Sequence, residues 1–168
     1  MFASRAEAGR ALARRFSDWR GLPRAVVLGI PRGGMLAAEP ISRALDLPLD
    51  VVISCRLTVP EERGLTLGAL AETGLMHLNR DLPGDMLRAC ALGQALNHQR
   101  LEVEWRRRHY RGGRIIPSMA GRDVIVVDEG AVTGATMAAA LQALRGLGAA
   151  RLFAALPVAQ LSVLRGLA

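Results

Sequence analysis

The chain has 168 residues, of which 51% are hydrophobic and 22% charged, so it has enough apolar material for a folded core and is not disordered as a whole. Its formal net charge is +7, and all 22 basic residues are arginine, which excludes a Walker A phosphate loop and a Schiff-base lysine. The charge favours an anionic partner, either a phosphorylated metabolite or nucleic acid, although a compositional bias toward arginine explains it equally well.

The first third of the chain alternates helical and extended patterns. Apolar residues recur at helical spacing over Ser4–Trp19, which predicts an amphipathic helix. Arg24–Ile30 is a short continuous apolar run, typical of a buried strand. Met35–Leu45 returns to a helical pattern that contains Pro40, a residue that can bend a helix. Leu49–Ser54 is a second β-like run.

The middle of the chain is polar and then helical. Residues 57–67 are predicted to be a mobile polar loop, because they combine proline, glycine and acids. Leu67–Glu72 is predicted to be a short strand. Residues 84–114 are predicted to be a helical insertion, with a helix over Asp85–Tyr110 that stops at the following glycine pair.

The last third contains the strongest strand pattern, at Asp123–Val127. A helix is predicted over Gly134–Leu147, a last strand over Arg151–Leu156 and the start of another helix at Gln160–Leu167. Strands and helices therefore alternate. We predict one α/β domain across residues 1–168, built on a mainly parallel twisted sheet with helices on both faces and a small helical hood or insertion. Ligands of such sheets bind beyond the carboxyl ends of the strands.

The cysteines and the hydropathy indicate the compartment. Cys55 and Cys90 fall in a predicted strand and a predicted helix, and two cysteines are too few for a disulfide framework. The chain does not open with a charged segment followed by an apolar one, and it has no apolar run long enough to span a bilayer. We therefore expect a cytoplasmic protein without membrane contact.

The stretch Val124–Met137 is the best candidate for a ligand site. Its apolar strand delivers Asp128 and Glu129 to the carboxyl end, and a short turn leads into a helix. The amino terminus of a helix offers unpaired N–H groups and the positive end of the dipole, to which Thr133 and Thr136 add hydroxyls. The turn thus predicts a phosphate monoester site, with the acids placed to bind neighbouring sugar hydroxyls. The alternative is an ordinary strand-to-helix turn with a threonine cap.

This order of apolar strand, two acids, glycine and Thr-Gly-Ala-Thr resembles the signature of the type I phosphoribosyltransferases. The resemblance implies that Asp128 and Glu129 bind the 2′ and 3′ hydroxyls of a ribose. It also implies that the next residues wrap the 5′-phosphate. Those residues are Ala131, Val132, Thr133, Gly134, Ala135 and Thr136.

A second turn, Pro31-Arg32-Gly33-Gly34, follows the first predicted strand. Glycine lets the backbone approach a ligand closely, and arginine presents a planar fork to phosphate. In the family the equivalent turn contacts pyrophosphate, so the resemblance implies this role for Arg32, Gly33 and Gly34. An ordinary surface turn is the alternative.

The stretch Asp50–Ala71 is also similar to a subgroup of uncharacterised bacterial phosphoribosyltransferase-domain proteins. The similarity implies that Arg56 supplies a cation for pyrophosphate, and a solvated charge at a strand end is the alternative. Cys55 stands where those relatives have arginine, and Gly64 where they tend to have an acid. They also continue for a few dozen residues beyond the last matching strand. We therefore expect a truncated form, or a site completed from elsewhere.

The residues Arg106–Arg108, with Arg111 and Arg114, form a basic cluster that raises the possibility of a nucleic-acid surface. Glu102 and Glu104 dilute it, and cations are favourable at a helix carboxyl end in any case. The three histidines show no metal-ligand spacing.

The resemblance implies an enzyme that binds 5-phosphoribosyl-1-pyrophosphate (PRPP) and transfers its phosphoribosyl group to a nitrogenous base or similar acceptor, with release of pyrophosphate. Asp128, Glu129, Arg32 and Arg56 would be the catalytic residues. Mg²⁺ would be held by the substrate, with the two acids acting through water. Val132 stands where relatives for 6-oxopurines have an acid, which argues against a hypoxanthine or guanine enzyme. We also expect a homodimer. The alternative is a non-catalytic PRPP-binding regulatory protein, with nucleic-acid contacts through its arginines.

Overall fold

Seven strands and five α-helices make up the part of the chain that the computed structural model describes, namely residues 2–58, 65–79 and 89–167. The strands are β1 (Ala25–Gly29), β2 (Leu49–Val51), β3 (Ser54–Thr58), β4 (Thr66–Ala71), β5 (Met76–Leu78), β6 (Asp123–Val127) and β7 (Arg151–Ala155). The helices are α1 (Arg5–Ala13), α2 (Gly33–Leu45), α3 (Ala89–Arg111), α4 (Ala135–Gly146) and α5 (Leu161–Leu167).

A four-stranded parallel sheet with the order β2-β1-β6-β7 forms the centre of the molecule. β1 pairs in parallel with β2 on one side and with β6 on the other, and β7 pairs with β6. Every residue of β1 and β6 is buried, as their continuous apolar sequences predict. The predicted α/β architecture with a mainly parallel sheet is therefore confirmed.

Helices cover both faces of this sheet. Successive residues of a strand point to opposite sides, so neighbouring strand residues pack against different helices. On one face Val27 packs with residues of α2 such as Ile41, and α1 lies on the outer side of α2. On the other face Val26 packs in a cluster with Leu144 of α4. α2 continues through Pro40, which lies inside the helix.

The amino-terminal helix is shorter than the predicted Ser4–Trp19. It begins after Ser4, whose side chain accepts a hydrogen bond from the backbone of Glu7, and a 3₁₀ turn takes over at Arg14. The turn brings Phe16 and Trp19 against Phe153 of β7 in edge-to-face contacts. These aromatic contacts fasten the amino-terminal segment to the edge of the sheet.

A second, antiparallel sheet with the order β3-β4-β5 stands beside the first. The run Leu49–Ser54, predicted as one strand, is divided between β2 and β3. Within it the backbone N–H of Ile53 donates to the carboxylate of Glu72 at 2.8 Å, so the chain leaves the parallel ladder there. The strand predicted at Leu67–Glu72 corresponds to β4, and β5 was not predicted.

The helix predicted within residues 84–114 corresponds to α3, which packs against β3 and β4. Its buried residues Ala95 and Val103 join the apolar side of the antiparallel sheet. Residues 84–88 lie outside the described part of the chain, as do residues 59–64 of the loop predicted at 57–67. Within the described residues, no helix is both long and apolar enough to cross a membrane.

A buried ion pair joins the carboxyl end of α3 to both sheets. The side chains of Arg111 and Glu72 are 5% and 2% exposed and form a salt bridge. Arg111 also donates to the carbonyl of Val51 and lies 3.3 Å from the carboxylate of Asp50, while Glu72 accepts from Ile53. This network bridges the gap between β2 and β3, so it fixes the two sheets relative to each other.

Candidate functional site

The ends of β1 and β6 meet at one edge of the parallel sheet. These strands are neighbours in register, with Gly29 opposite Val127. The backbone N–H of Ile30 donates to the carbonyl of Val127 at 2.9 Å, which continues the pairing into the two following segments. The turn at residues 31–34 and the acids at 128–129 therefore lie side by side, as expected for the carboxyl edge of a parallel sheet.

Two glycines allow this close approach. A Cβ on Gly34 would lie 2.5 Å from the carbonyl oxygen of Val127, and one on Gly33 would collide with the carboxylate of Glu129. The peptide bond between Pro31 and Arg32 is cis. The structure thus brings Gly33 and Gly34 against the acids, whereas the side chain of Arg32 is exposed.

The turn at residues 130–134 leads from the acids into α4. The backbone N–H of Ala131 donates to the carbonyl of Val158 at 3.1 Å, which holds the turn from behind. Gly134 has a φ of +77°, and a Cβ there would lie 2.6 Å from a methyl group of Val163. Glycine is therefore required where the turn joins the helix. The amino end of α4, at Ala135, opens toward the same edge as the acids.

The second sheet supplies a third wall of the site. The buried hydroxyl of Ser54 donates to the backbone carbonyl of Thr136 at 2.9 Å, which ties the start of β3 to the first turn of α4. Arg56 lies two residues further along β3, on the exposed side. The antiparallel sheet therefore carries an arginine to the edge where the acids and the turn already meet.

Two adjoining cavities open between these walls. The smaller, of about 170 Å³, is lined by the turn at 130–134, Thr66 and Met137. The larger, of about 550 Å³, is lined by residues of β3, by α3 and by Pro31 of the turn at residues 31–34. Both cavities share a boundary of three residues, which are Arg56, Asp128 and Thr136. Glu129 lines the larger cavity, and Arg32 lines neither.

The two acids influence each other's ionisation. Burial, followed by hydrogen bonding with Glu129 and the charge of Glu129, raises the pKa of Asp128 to about 8. Hydrogen bonding with Asp128 in turn lowers the pKa of Glu129. The backbone N–H of Glu129 also donates to the Asp128 carboxylate at 2.8 Å. With a pKa of about 8 at Asp128, the pair therefore holds one proton between its two carboxyl groups at neutral pH.

This raised pKa predicts a pH-dependent stability. The folded pKa of Asp128 lies above its unfolded value, so its contribution to stability is complete below about pH 4 and is lost as the pH rises to about 8. Asp128→Asn removes that loss. We subtract the melting temperature of the wild type from that of the variant. We expect this difference to be about 2–8 °C larger at pH 8.5 than at pH 5. Asp18→Asn, at an exposed position, is the control. A constant difference across this range would contradict the raised pKa.

The structure adds residues that the sequence patterns did not indicate. His98, Gln99, Glu102 and Arg106 of α3 line the larger cavity. Their helical spacing places them on one side of α3, but polar residues on a helix face are usually solvated, so this signal was not distinctive. Cys55 lines the same cavity as a buried free thiol, and burial raises its pKa to about 11, so the thiol remains protonated.

Acidic side chains pair with most members of the predicted basic cluster. Arg106 pairs with Glu102, and Arg107 and Arg108 pair with Glu104. Arg111 is buried in the network that joins the sheets. Most of these charges are therefore used within the fold, which weakens the nucleic-acid alternative. The described residues contain no group of three or more His, Cys, Asp or Glu side chains able to hold a metal ion.

Comparison with known proteins gives a consistent result. A family model described as "phosphoribosyl transferase domain" matches residues 3–163. A Mycobacterium tuberculosis protein assigned by name to the phosphoribosyl transferases is 38% identical over 159 residues. That match covers 94% of this chain and 36% of the relative, so the chain spans little more than a third of the curated relative's length.

Solved structures agree on the fold. A crystal structure of a protein from Thermus thermophilus is 35% identical, with a TM-score of 0.74, over 99% of this chain and 79% of that one. A hypoxanthine phosphoribosyltransferase from Staphylococcus aureus is 15% identical, with a TM-score of 0.51, over 94% of this chain and 66% of that one. At this identity the second match concerns the fold alone.

Proposed function

Because this chain belongs to the phosphoribosyl transferase domain family, we propose that it binds PRPP and transfers the phosphoribosyl group to a nitrogenous base or similar acceptor, with release of pyrophosphate. The observation that carries the proposal is the pair of adjoining cavities with Asp128 on their shared boundary. PRPP has a phosphate at one end, a diol in the middle and a diphosphate at the other end, and the two cavities offer matching chemistry in that order.

The smaller cavity suits the 5′-phosphate. It is lined by the turn at 130–134 and lies at the amino end of α4, where backbone N–H groups and the helix dipole favour an anion. Thr133 and Thr136 add hydroxyl donors. The ribose would then lie over the shared boundary, where Asp128, together with Glu129 from the wall of the larger cavity, can accept hydrogen bonds from the 2′ and 3′ hydroxyls.

The larger cavity suits the diphosphate. Transfer breaks the bond between C1 of the ribose and the diphosphate oxygen, so negative charge grows on the leaving group while the sugar becomes cationic. Arg56 at the boundary would neutralise the leaving group, and the carboxylate of Glu129 would stabilise the cationic sugar. Arg32 is exposed and lines neither cavity, so it would reach the diphosphate only if its side chain reorients. Holding both reactants in place supplies the remaining advantage.

Mg²⁺ fits this site only as a partner of the substrate. Asp128 and Glu129 offer hard oxygen atoms beside the cavity, but within the described residues they are not joined by a third acid. The diphosphate and ribose oxygens would supply the remaining ligands, with the two acids acting through water. When bound, the ion would neutralise charge on the leaving group.

The turn at residues 130–134 bears on the choice of acceptor. Val132, in the turn at residues 130–134, is 75% exposed and apolar. It therefore offers no carboxylate to a nitrogenous base bound there. This supports an acceptor other than hypoxanthine or guanine. A cytoplasmic location and a homodimeric state are part of the same proposal, and cell fractionation and light scattering would test them.

The test is a pyrophosphate-release assay with PRPP, Mg²⁺ and a panel of purine, pyrimidine and pyridine acceptors. We expect PRPP to bind and pyrophosphate to be released with one acceptor class, and hypoxanthine and guanine to be inactive. Tight PRPP binding without release for any acceptor would instead support the regulatory alternative. Absence of PRPP binding in calorimetry would contradict both.

A further inference from the structure

α3 contributes a second arginine to the larger cavity. Arg106 projects from the helix and lines this cavity together with Glu102 and Pro31. Its side chain is only 19% exposed. The Nε atom donates to the Glu102 carboxylate at 2.7 Å, and Nη1 donates to the backbone carbonyl of Pro31 at 3.3 Å. The long side chain of Arg106 is therefore held in one position between α3 and the turn at residues 31–34.

The guanidinium of Arg106 still has donors to offer. An arginine carries five N–H donors, and the two hydrogen bonds to Glu102 and Pro31 use two of them among the described residues. The rest belong to the two terminal nitrogens, which form the planar fork that matches phosphate oxygens. Because the side chain is already fixed, contact with a phosphate would cost little further ordering.

The charges around the cavity explain what this arginine could bind. Asp128, Glu129 and Glu102 contribute carboxyl groups to its wall, and Arg56 and Arg106 contribute guanidinium groups. Glu102 is engaged with Arg106, and the positive charge of Arg56 acts on both of the other acids. A diphosphate would therefore share the positive charge of Arg56 with two acids, and among the described residues Arg106 is the other arginine on the cavity wall.

We propose that Arg106 is a second residue for the leaving group, which contacts the diphosphate of PRPP from α3 and also holds the Pro31 turn in place before the ligand binds. This inference rests on the proposed function, because it assigns a residue to one end of the same ligand. It makes α3 part of the binding site as well as of the fold. It also provides a cation for the diphosphate that is less exposed than Arg32.

Calorimetry with two ligands tests this role. Arg106→Gln is expected to weaken PRPP binding by about 10- to 100-fold, the loss typical of a charged hydrogen bond. Ribose 5-phosphate, which lacks the diphosphate, should bind within about threefold of the wild-type affinity. Arg106→Lys keeps the charge without the fork and should give an intermediate PRPP affinity.

Arg108→Gln is the matched control. Arg108 is on the same helix and pairs with Glu104 through Nε at 3.0 Å, in the same i,i+4 arrangement as Arg106 with Glu102, but its side chain is 75% exposed and does not line the cavity. This variant should bind both ligands as the wild type does. A purely structural role for Arg106 would lower both affinities together.

The outcomes separate this inference from the proposed function. Wild-type PRPP affinity in Arg106→Gln, or equal losses for both ligands, would overturn the role of Arg106 while PRPP binding by the wild type stands. If the wild type binds neither ligand, the proposed function itself fails. Should Arg106→Gln not fold, Arg106→Lys decides, because a selective loss for PRPP supports the inference and an unchanged ratio of the two affinities overturns it.

Discussion

Replacing Asp128 and Glu129 together by alanine is expected to lower the affinity for ribose 5-phosphate and for PRPP by about 100-fold or more. Each carboxylate would accept a hydrogen bond from the ribose diol, and a hydrogen bond to a charged group is worth about 1.5–3 kcal/mol. Asp128 lies on the boundary of both cavities and Glu129 lines the larger one. Ligands that carry the ribose should therefore lose affinity in parallel, which calorimetry measures directly.

The fold should survive this double substitution. Asp128 is partly buried and Glu129 exposed. Among the described residues, neither takes part in the ion pairs that join the elements. Asp18→Ala with Glu39→Ala makes the same two residue replacements at positions that line neither cavity, and this control should bind normally. If the Asp128 and Glu129 variant folds and keeps wild-type affinity, the carboxylates do not bind the diol and the proposed site is wrong.

Arg111→Met is expected to cost about 3–5 kcal/mol of unfolding free energy, because it leaves the carboxylate of Glu72 buried without its cation. The melting temperature should fall by about 6–20 °C, as differential scanning calorimetry can record. Arg111 also donates to the carbonyl of Val51. That carbonyl would lose its partner in the variant, which adds to the loss of stability. Activity measured below the melting temperature should fall as well, because the network positions the sheet that carries Arg56.

A double-mutant cycle identifies the source of this loss. Combining Arg111→Met with Glu72→Gln removes both charges, and the amide oxygen of glutamine can still accept the hydrogen bond from Ile53. We expect the double variant to be more stable than Arg111→Met alone. Arg108→Met, at an exposed position of the same helix, should change stability by less than about 0.5 kcal/mol. A loss of similar size in Arg108→Met would show that α3 itself, and not the buried pair, is responsible.

The elements at the centre of the fold were predictable because local pattern and burial agree there. β1 and β6 are continuous apolar runs, which is the pattern of strands buried on both faces, and both lie in the middle of the parallel sheet. The turn from Asp128 to Thr136 was equally readable, because two acids, a glycine and threonines stand in order between a strand and a helix. Their roles in ligand binding stay predictions until a ligand is measured.

Other features depend on contacts between distant parts of the chain. Nothing in Leu49–Ser54 indicates that the run divides between two sheets, because the contact at the division is a hydrogen bond from Ile53 to Glu72, 19 residues away. The position of Arg106 has the same origin. In the sequence it is one of three adjacent arginines, and only the packing of α3 on β3 separates it from Arg107 and Arg108 by turning it into the cavity.

The proton held between Asp128 and Glu129 has a thermodynamic consequence for ligand binding. A diol that takes both carboxylates as acceptors must expel that proton to the solvent below about pH 8. Association would then become more favourable in alkaline solution. The measured heat would include the ionisation enthalpy of the buffer, so titrations in buffers of different ionisation enthalpy would give different apparent enthalpies for one and the same complex.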